Sequence, residues 1–261
     1  LPLIVTDPIL RDGIIALAAL AAGAINSIAG GGTLISFPAL VWIGVNPVMA
    51  NATNSFAMWP GSFAAMFGFR RDLAKIRRWL LLLTIPAFAG GAAGAVLLLH
   101  TSTKTFSRLV PFLILGATLL LAAQEFITRR LGFVAHAHEN PTAGWVAFVF
   151  VFQFLVGIYG GYFGGGIGIL MLAALGLIGL TDMHEMNGLK NLLAICINGV
   201  AALYFAFSGA VLWKDGAIMG LAAIAGGYLG ARIAKRLGTT FVRRAVVAIG
   251  LGMGIALFFK R

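Results

Sequence analysis

The chain has 261 residues, of which 60% are apolar and only 10% charged. A soluble domain carries about 25% charge, so this composition, with a mean hydropathy of +0.98, excludes a soluble globular domain and points to a polytopic membrane protein. The net charge of +11 does not signal nucleic acid, because most Lys and Arg sit in short loops between apolar runs, where they set orientation. The longest polar stretch is 125–142, too short for a separate soluble domain. The single Cys196 lies in an apolar run and allows no disulfide within one chain. The first residue is Leu1 rather than Met, so a trimmed N-terminus is expected.

In chain order the apolar segments are 13–29, 33–45, 48–69, 79–99, 109–125, 143–163, 167–180, 186–207, 216–233 and 242–259. Most approach the roughly 20 residues that span a hydrocarbon core. Segments 33–45 and 167–180 do not: 13 residues of helix cover about 20 Å of a roughly 30 Å core. Both read as half-helices or re-entrant arms. Residues 14–29 resemble a signal-peptide core, but 145–163 is their equivalent further along and cannot be one, so both are structural.

Each short segment follows a glycine triplet, Gly30-Gly31-Gly32 or Gly164-Gly165-Gly166, 134 residues apart. Amide-rich sequence follows each about twenty residues later. With a two-residue insertion, Asn51 aligns with Asn187, Asn54 with Lys190 and Ser55 with Asn191. Arg70, Arg71, Lys75, Arg77 and Arg78 mark one cytoplasmic loop. Arg129 and Arg130 mark a second, and Lys235, Arg236, Arg243 and Arg244 a third. The weaker loops at 100–108 and 208–215 then lie outside. The first broken pair starts and ends outside, and the second starts and ends in the cytoplasm. Lys260-Arg261, which falls outside, opposes this only mildly. The expected fold is all-α: an N-terminal repeat 1–130, a cytoplasmic linker 131–142, and an inverted C-terminal repeat 143–261, each with a broken hairpin and three helices.

Matching broken segments in two inverted halves suggest a transporter with its site at the repeat interface. A helix starting at Thr33 or Ile167 points free N–H groups and its positive dipole end at the break, which favours an anion. The plainer reading is that the glycines only allow close helix packing; Gly157, Gly160, Gly161 and Gly164 fit it. Lys190 sits four residues into an apolar run, where a charge is functional by default. It could instead snorkel, or pair with Glu185. Asn51, Thr53, Asn54 and Ser55 offer uncharged hydrogen-bond groups. Capping explains Asn46-Pro47 but not Asn51 or Asn54, which lie a turn inside. Asn26 and Ser27 precede the first triplet; Gln153, Tyr159 and Tyr162 precede the second. Gln153 and Asn198 read as ligand or as interhelical glue. No metal-ligand cluster, catalytic motif or intramembrane acid is found. A loop metal site at His136, His138 and Glu139 stays open.

The stretch AGGGTLISFPALVWIGVNPVMANATNSFAM resembles the signature of the TauE/SafE family of sulfite and organosulfur-anion exporters. Gly30, Gly31, Gly32, Pro38, Gly44, Pro47, Ala50 and Thr53 carry the likeness. Gly164, Gly165, Gly166, Gly168, Asn187, Lys190 and Asn191 fit the family's second copy. That copy departs in having Met171-Leu172-Ala173 in place of the proline and Leu189 opposite Thr53. The resemblance implies a multi-pass protein of the bacterial inner membrane that exports a small sulfur-containing anion such as sulfite or sulfoacetate. Its partners would be that anion and the lipid bilayer, without nucleic acid, metal or cofactor; a homodimer stays open. The expected binding set is Gly31, Gly32, Thr33, Asn51, Asn54, Ser55, Gly165, Gly166, Asn187, Lys190 and Asn191. An anion or water channel is the alternative; a membrane enzyme lacks a nucleophile–base pair.

Overall fold

The computed structural model describes residues 7–28, 31–68, 77–137, 142–177, 180, 182–237 and 239–259. Among them the helices are α1 (Pro8–Ile28), α2 (Thr33–Trp42), α3 (Pro47–Gly68), α4 (Arg77–His100), α5 (Thr103–Ala137), α6 (Ala143–Tyr162), α7 (Ile167–Leu177), α8 (Met183–Phe207), α9 (Trp213–Leu237) and α10 (Thr239–Phe259). Five helices are long and apolar enough to cross a membrane, in α1, α4, α5, α6 and α8. The short pair α2 and α7 appears where the two half-helices were expected. One boundary differs. The expected segment 109–125 and the first part of the linker are one helix, α5, which runs to Ala137. Hydropathy marks where a helix leaves lipid, not where it ends, and Thr128-Arg-Arg-Leu contains good helix formers. Gly30, Arg70, Arg71, Lys75, His138, Glu139, Lys260 and Arg261 lie outside the described residues.

Helix starts separate into two kinds. The oxygen of Asp7 accepts from the Ile9 amide at 2.9 Å, Asn46 from Val48 at 2.9 Å, Ser102 from Thr105 at 3.1 Å, Thr142 from Trp145 at 3.3 Å and Asp182 from Glu185 at 3.3 Å. These cap α1, α3, α5, α6 and α8, with Pro8 and Pro47 at the favoured first position. The starts of α2 and α7 follow Gly32 and Gly166, which have no side chain to cap with.

Packing joins the halves rather than separating them. α1 lies along α9 and α6 along α4; α3 crosses α8, and α5 lies on α10. Exchanging the first five helices for the last five leaves these pairings unchanged. The register obeys the same exchange. A β-carbon on Gly250 would press on Thr118, and one on Gly254 would lie 3.5 Å from Ile114 Cγ2; adding 136 to one member and subtracting it from the other turns the first pair into the second. Where α3 crosses α8, the Trp59 indole donates to the Ile195 carbonyl at 3.2 Å, again a pair 136 residues apart.

Large apolar side chains cover the outside: Leu17, Leu81, Ile85, Leu119, Val151, Leu155, Leu221 and Phe207 are all exposed. On a soluble monomer such a surface would aggregate; in a bilayer it meets lipid tails. Ion pairs join the starts of α1 and α9. Arg11 makes a two-pronged pair with Asp215 at 2.8 and 2.6 Å, and Lys214 reaches Asp12 at 2.7 Å. The first turns of α1 and α9 therefore share one face, the face to which the loop count assigns both. The Asp215 side chain is 4% exposed and Arg11 27%. Removing one member of a buried pair strands the other and costs about 3–5 kcal/mol, reduced here to about 1–3 by Arg11's access to solvent. Asp215→Ala is expected to cost that much stability, which lowers Tm in detergent by roughly 2–12 °C at about 2–4 °C per kcal/mol. Lys214→Ala, at a 66% exposed ammonium, is expected to leave it nearly unchanged.

Candidate functional site

Both glycine breaks come to rest on the same stretch of α5. A β-carbon on Gly31 would sit 3.1 Å from Leu121 Cδ2, and one on Gly165 3.2 Å from Ala117 Cβ. Ala117 and Leu121 are four residues apart, about one turn or 6 Å, and both are buried. The arms also touch directly. The Phe37 ring of α2 stands edge-on to Phe163 in the second break, with centroids 5.5 Å apart. Phe106 of α5 completes this plug against Phe37 and Tyr162. The breaks need glycine: Gly31, Gly164 and Gly166 have φ of 90°, 77° and 73°, the left-handed region that side chains resist.

At the first break the protein engages the last glycine amide of the triplet. The Gly32 N–H donates to Asn26 Oδ1 at 2.8 Å. Ser36 Oγ lies 2.5 Å from Asn54 Oδ1 and 3.2 Å from the Gly32 carbonyl, and its single proton serves one or the other. This corrects one expectation: Gly32 does not offer a free amide, because Asn26 bends back over it. Ser36 holds the Asn54 oxygen, and the Asn54 Nδ2, the expected donor to the anion, has no acceptor among the described residues. Ser36 was not expected at all. The signal for it was one hydroxyl in an otherwise apolar half-helix, four residues after Gly32.

Asn51 is also diverted. It is fully buried, and its Nδ2 donates 3.0 Å to the carbonyl of Tyr162, the last residue of α6. It thus serves the second break although it belongs to the first half. Its Oδ1 is buried without a partner. Thr53 is structural: its hydroxyl accepts from the Leu212 amide at 3.0 Å and fixes the turn before α9.

The second break is bonded differently. The Tyr159 hydroxyl donates to the Gly165 carbonyl at 2.5 Å, and the Gly164 amide to the Tyr159 carbonyl at 3.2 Å. The amides of Gly165 and Gly166 find no acceptor among the described residues. Lys190 of α8 lies against the first turn of α7: a β-carbon on Gly168 there would be 3.5 Å from Lys190 Cδ. Thr33, Ser55 and Asn191 are half-buried, and no bond to another described residue engages their side chains. Asn187 is in α8, and its side chain lies outside the described residues. Two N–H groups and a helix N-terminus therefore adjoin, with the Lys190 side chain against the same first turn, a set of the kind that binds an oxyanion. No group of three or more His, Cys, Asp or Glu that could hold a metal occurs among the described residues.

The family model described as "Sulfite exporter TauE/SafE" matches residues 15–257. The chain is 30% identical over 244 residues to a "Probable membrane transporter protein" of Haemophilus influenzae, covering 91% of this chain and 90% of that one. It is 31% identical over 246 residues to "Probable membrane transporter protein ORF9" of Sinorhizobium sp, with 92% and 90% covered. It is 28% identical over 262 aligned positions to "Probable membrane transporter protein YfcA" of Escherichia coli K12, with 98% and 93% covered. No solved structure matches. A helical chain with lipid-facing apolar surface, two glycine-broken arms meeting on one helix, and a family match over nearly its whole length is an integral multi-pass membrane transporter and belongs to the TauE/SafE family.

Proposed function

We propose that the protein exports a small sulfur-containing anion, such as sulfite or sulfoacetate, across the bacterial inner membrane by alternating access. The observation that carries this reading is the second break, where the Gly165 and Gly166 amides lack acceptors among the described residues and the Lys190 side chain crosses the first turn of α7. Lys190 attracts the anion, the two amides bind its oxygens, and Asn54 Nδ2, Asn187, Asn191, Thr33 and Ser55 complete the set. Gly31 gives the first arm its turn. The halves act as inverted repeats that rock about the α3–α8 crossing; the exchange symmetry of the helix pairings and the parallel course of α1 with α9 support this. Leaving with one negative charge is favoured by an inside-negative potential, by about 2.3 kcal/mol per 100 mV, so export needs no further driving force.

The test is thermal unfolding of the purified protein against sulfite, thiosulfate, sulfoacetate, taurine, sulfate and small carboxylates. One or more of the sulfur anions is expected to raise Tm in a saturable way while carboxylates do not. Equal response to every anion would contradict a selective site.

A further inference from the structure

We propose that the α6 side of the second break binds a monovalent cation of sodium's size, next to but distinct from the anion-binding amides. The break has two faces of opposite character. On the α7 side it presents N–H groups. On the α6 side it presents oxygen. The Gly164 amide bonds back to Tyr159 rather than to Gly160. The carbonyls of Gly160 and Gly161 are therefore left without a backbone donor among the described residues. These are the negative end of the α6 dipole. Asn51 Oδ1 adds a fully buried acceptor with no partner among the described residues, at the residue that holds the Tyr162 carbonyl. Turning the amide over would set its oxygen against the Tyr162 oxygen, so the unpaired atom is the acceptor. Asn198 of α8 supplies another: a β-carbon on Gly164 would lie 3.8 Å from Asn198 Oδ1 and 3.1 Å from the Gly160 carbonyl oxygen.

A buried acceptor left unpaired costs about 1–3 kcal/mol, and what satisfies it must donate or be positive. The oxygens gathered here are all neutral. Divalent ions draw on carboxylates, and no acidic cluster is present among the described residues. Amide and carbonyl oxygens at the end of a broken helix suit sodium. The Lys190 and Asn198 backbones lie eight residues of α8, about 12 Å, apart.

The experiment is thermal unfolding of the full-length chain in detergent, titrated with sodium chloride against choline chloride at equal ionic strength, with no sulfur anion present. Sodium is expected to raise Tm in a saturable way and choline is not. Asn198→Ala, at a residue that bonds no other described residue, is expected to fold normally and to raise the half-saturating sodium concentration about tenfold or more. Asn51→Ala is expected to do the same, together with some loss of Tm from the lost bond to Tyr162. Identical curves in sodium and choline, which a water in this place would give, overturn the proposal. So does a sodium response that neither substitution alters. Because no sulfur anion is used, a sodium response can stand where the anion panel fails, and the reverse.

Discussion

Lys190→Ala is expected to weaken sulfur-anion uptake into right-side or inverted vesicles by about ten- to a hundredfold in KM. A hydrogen bond to a charged group is worth about 1.5–3 kcal/mol, and each 1.4 kcal/mol is a factor of ten. The ammonium stem crosses bare Gly168 at the start of α7, so the substitution removes a charge without opening a packed core. Lys190→Arg is expected to recover only part of the loss, since the broader guanidinium does not follow the same path over the glycine. Folding serves as the control: both variants are expected to elute and melt like the parent. A variant with unchanged KM would return Lys190 to the role of an interfacial, snorkelling residue.

Gly161→Leu is expected to give the largest loss of stability. α4 and α6 run side by side with Gly90, Gly91 and Gly94 facing Gly157 and Gly161, and a β-carbon on Gly161 would overlap the Gly91 carbonyl. The obstacle is backbone, so the helices must part, and with them the short α7 that packs on α6. Overpacking costs about 1–3 kcal/mol even against movable side chains. A loss of 3 kcal/mol or more, at about 2–4 °C per kcal/mol, lowers Tm on the order of 10 °C. Gly226 meets the Leu20 carbonyl in the same way on the α1–α9 seam, and Gly226→Leu is expected to behave alike. Gly116→Leu and Gly252→Leu are the matched controls, because nothing lies within 4 Å of a β-carbon at either position. Thermal unfolding in one detergent ranks all four; equal losses in the two groups would refute the seam argument.

These seams also explain what the sequence could and could not disclose. The helices were legible because lipid demands long apolar runs and satisfied backbone. The broken arms were legible because their lengths fall short of the bilayer. The seam glycines form a repeat, Ala89-Gly90-Gly91-Ala-Ala-Gly94 against Ala225-Gly226-Gly227-Tyr-Leu-Gly230, at the same 136-residue offset as Asn51 and Asn187. Hydropathy does not register them, since glycine is close to neutral on such scales.

The partners of the amides were the least legible part. Asn51 reads locally as a member of the first break, but its partner, Tyr162, is 111 residues away. Only the interleaving of the halves brings them together. Asn26 and Ser36 likewise divert Gly32 and Asn54 inward. The proposed anion site is centred on the second break, around Gly165, Gly166 and Lys190. An alignment of halves suggests equal roles for equivalent positions. The structure gives Asn54 a hydroxyl to hold and sets its counterpart, Lys190, against the opening of a half-helix.

The proposed function is selective transport of a sulfur anion by the chain alone. Counterflow in proteoliposomes tests it most directly: vesicles loaded with unlabelled sulfite are diluted into a trace of labelled sulfite. The prediction is a transient, saturable accumulation of label in vesicles carrying the protein, suppressed by Lys190→Ala and absent when chloride replaces sulfite inside. Label that equilibrates without overshoot, at a rate that does not saturate, would show a channel and contradict alternating access; no uptake above empty vesicles would contradict sulfite as a substrate.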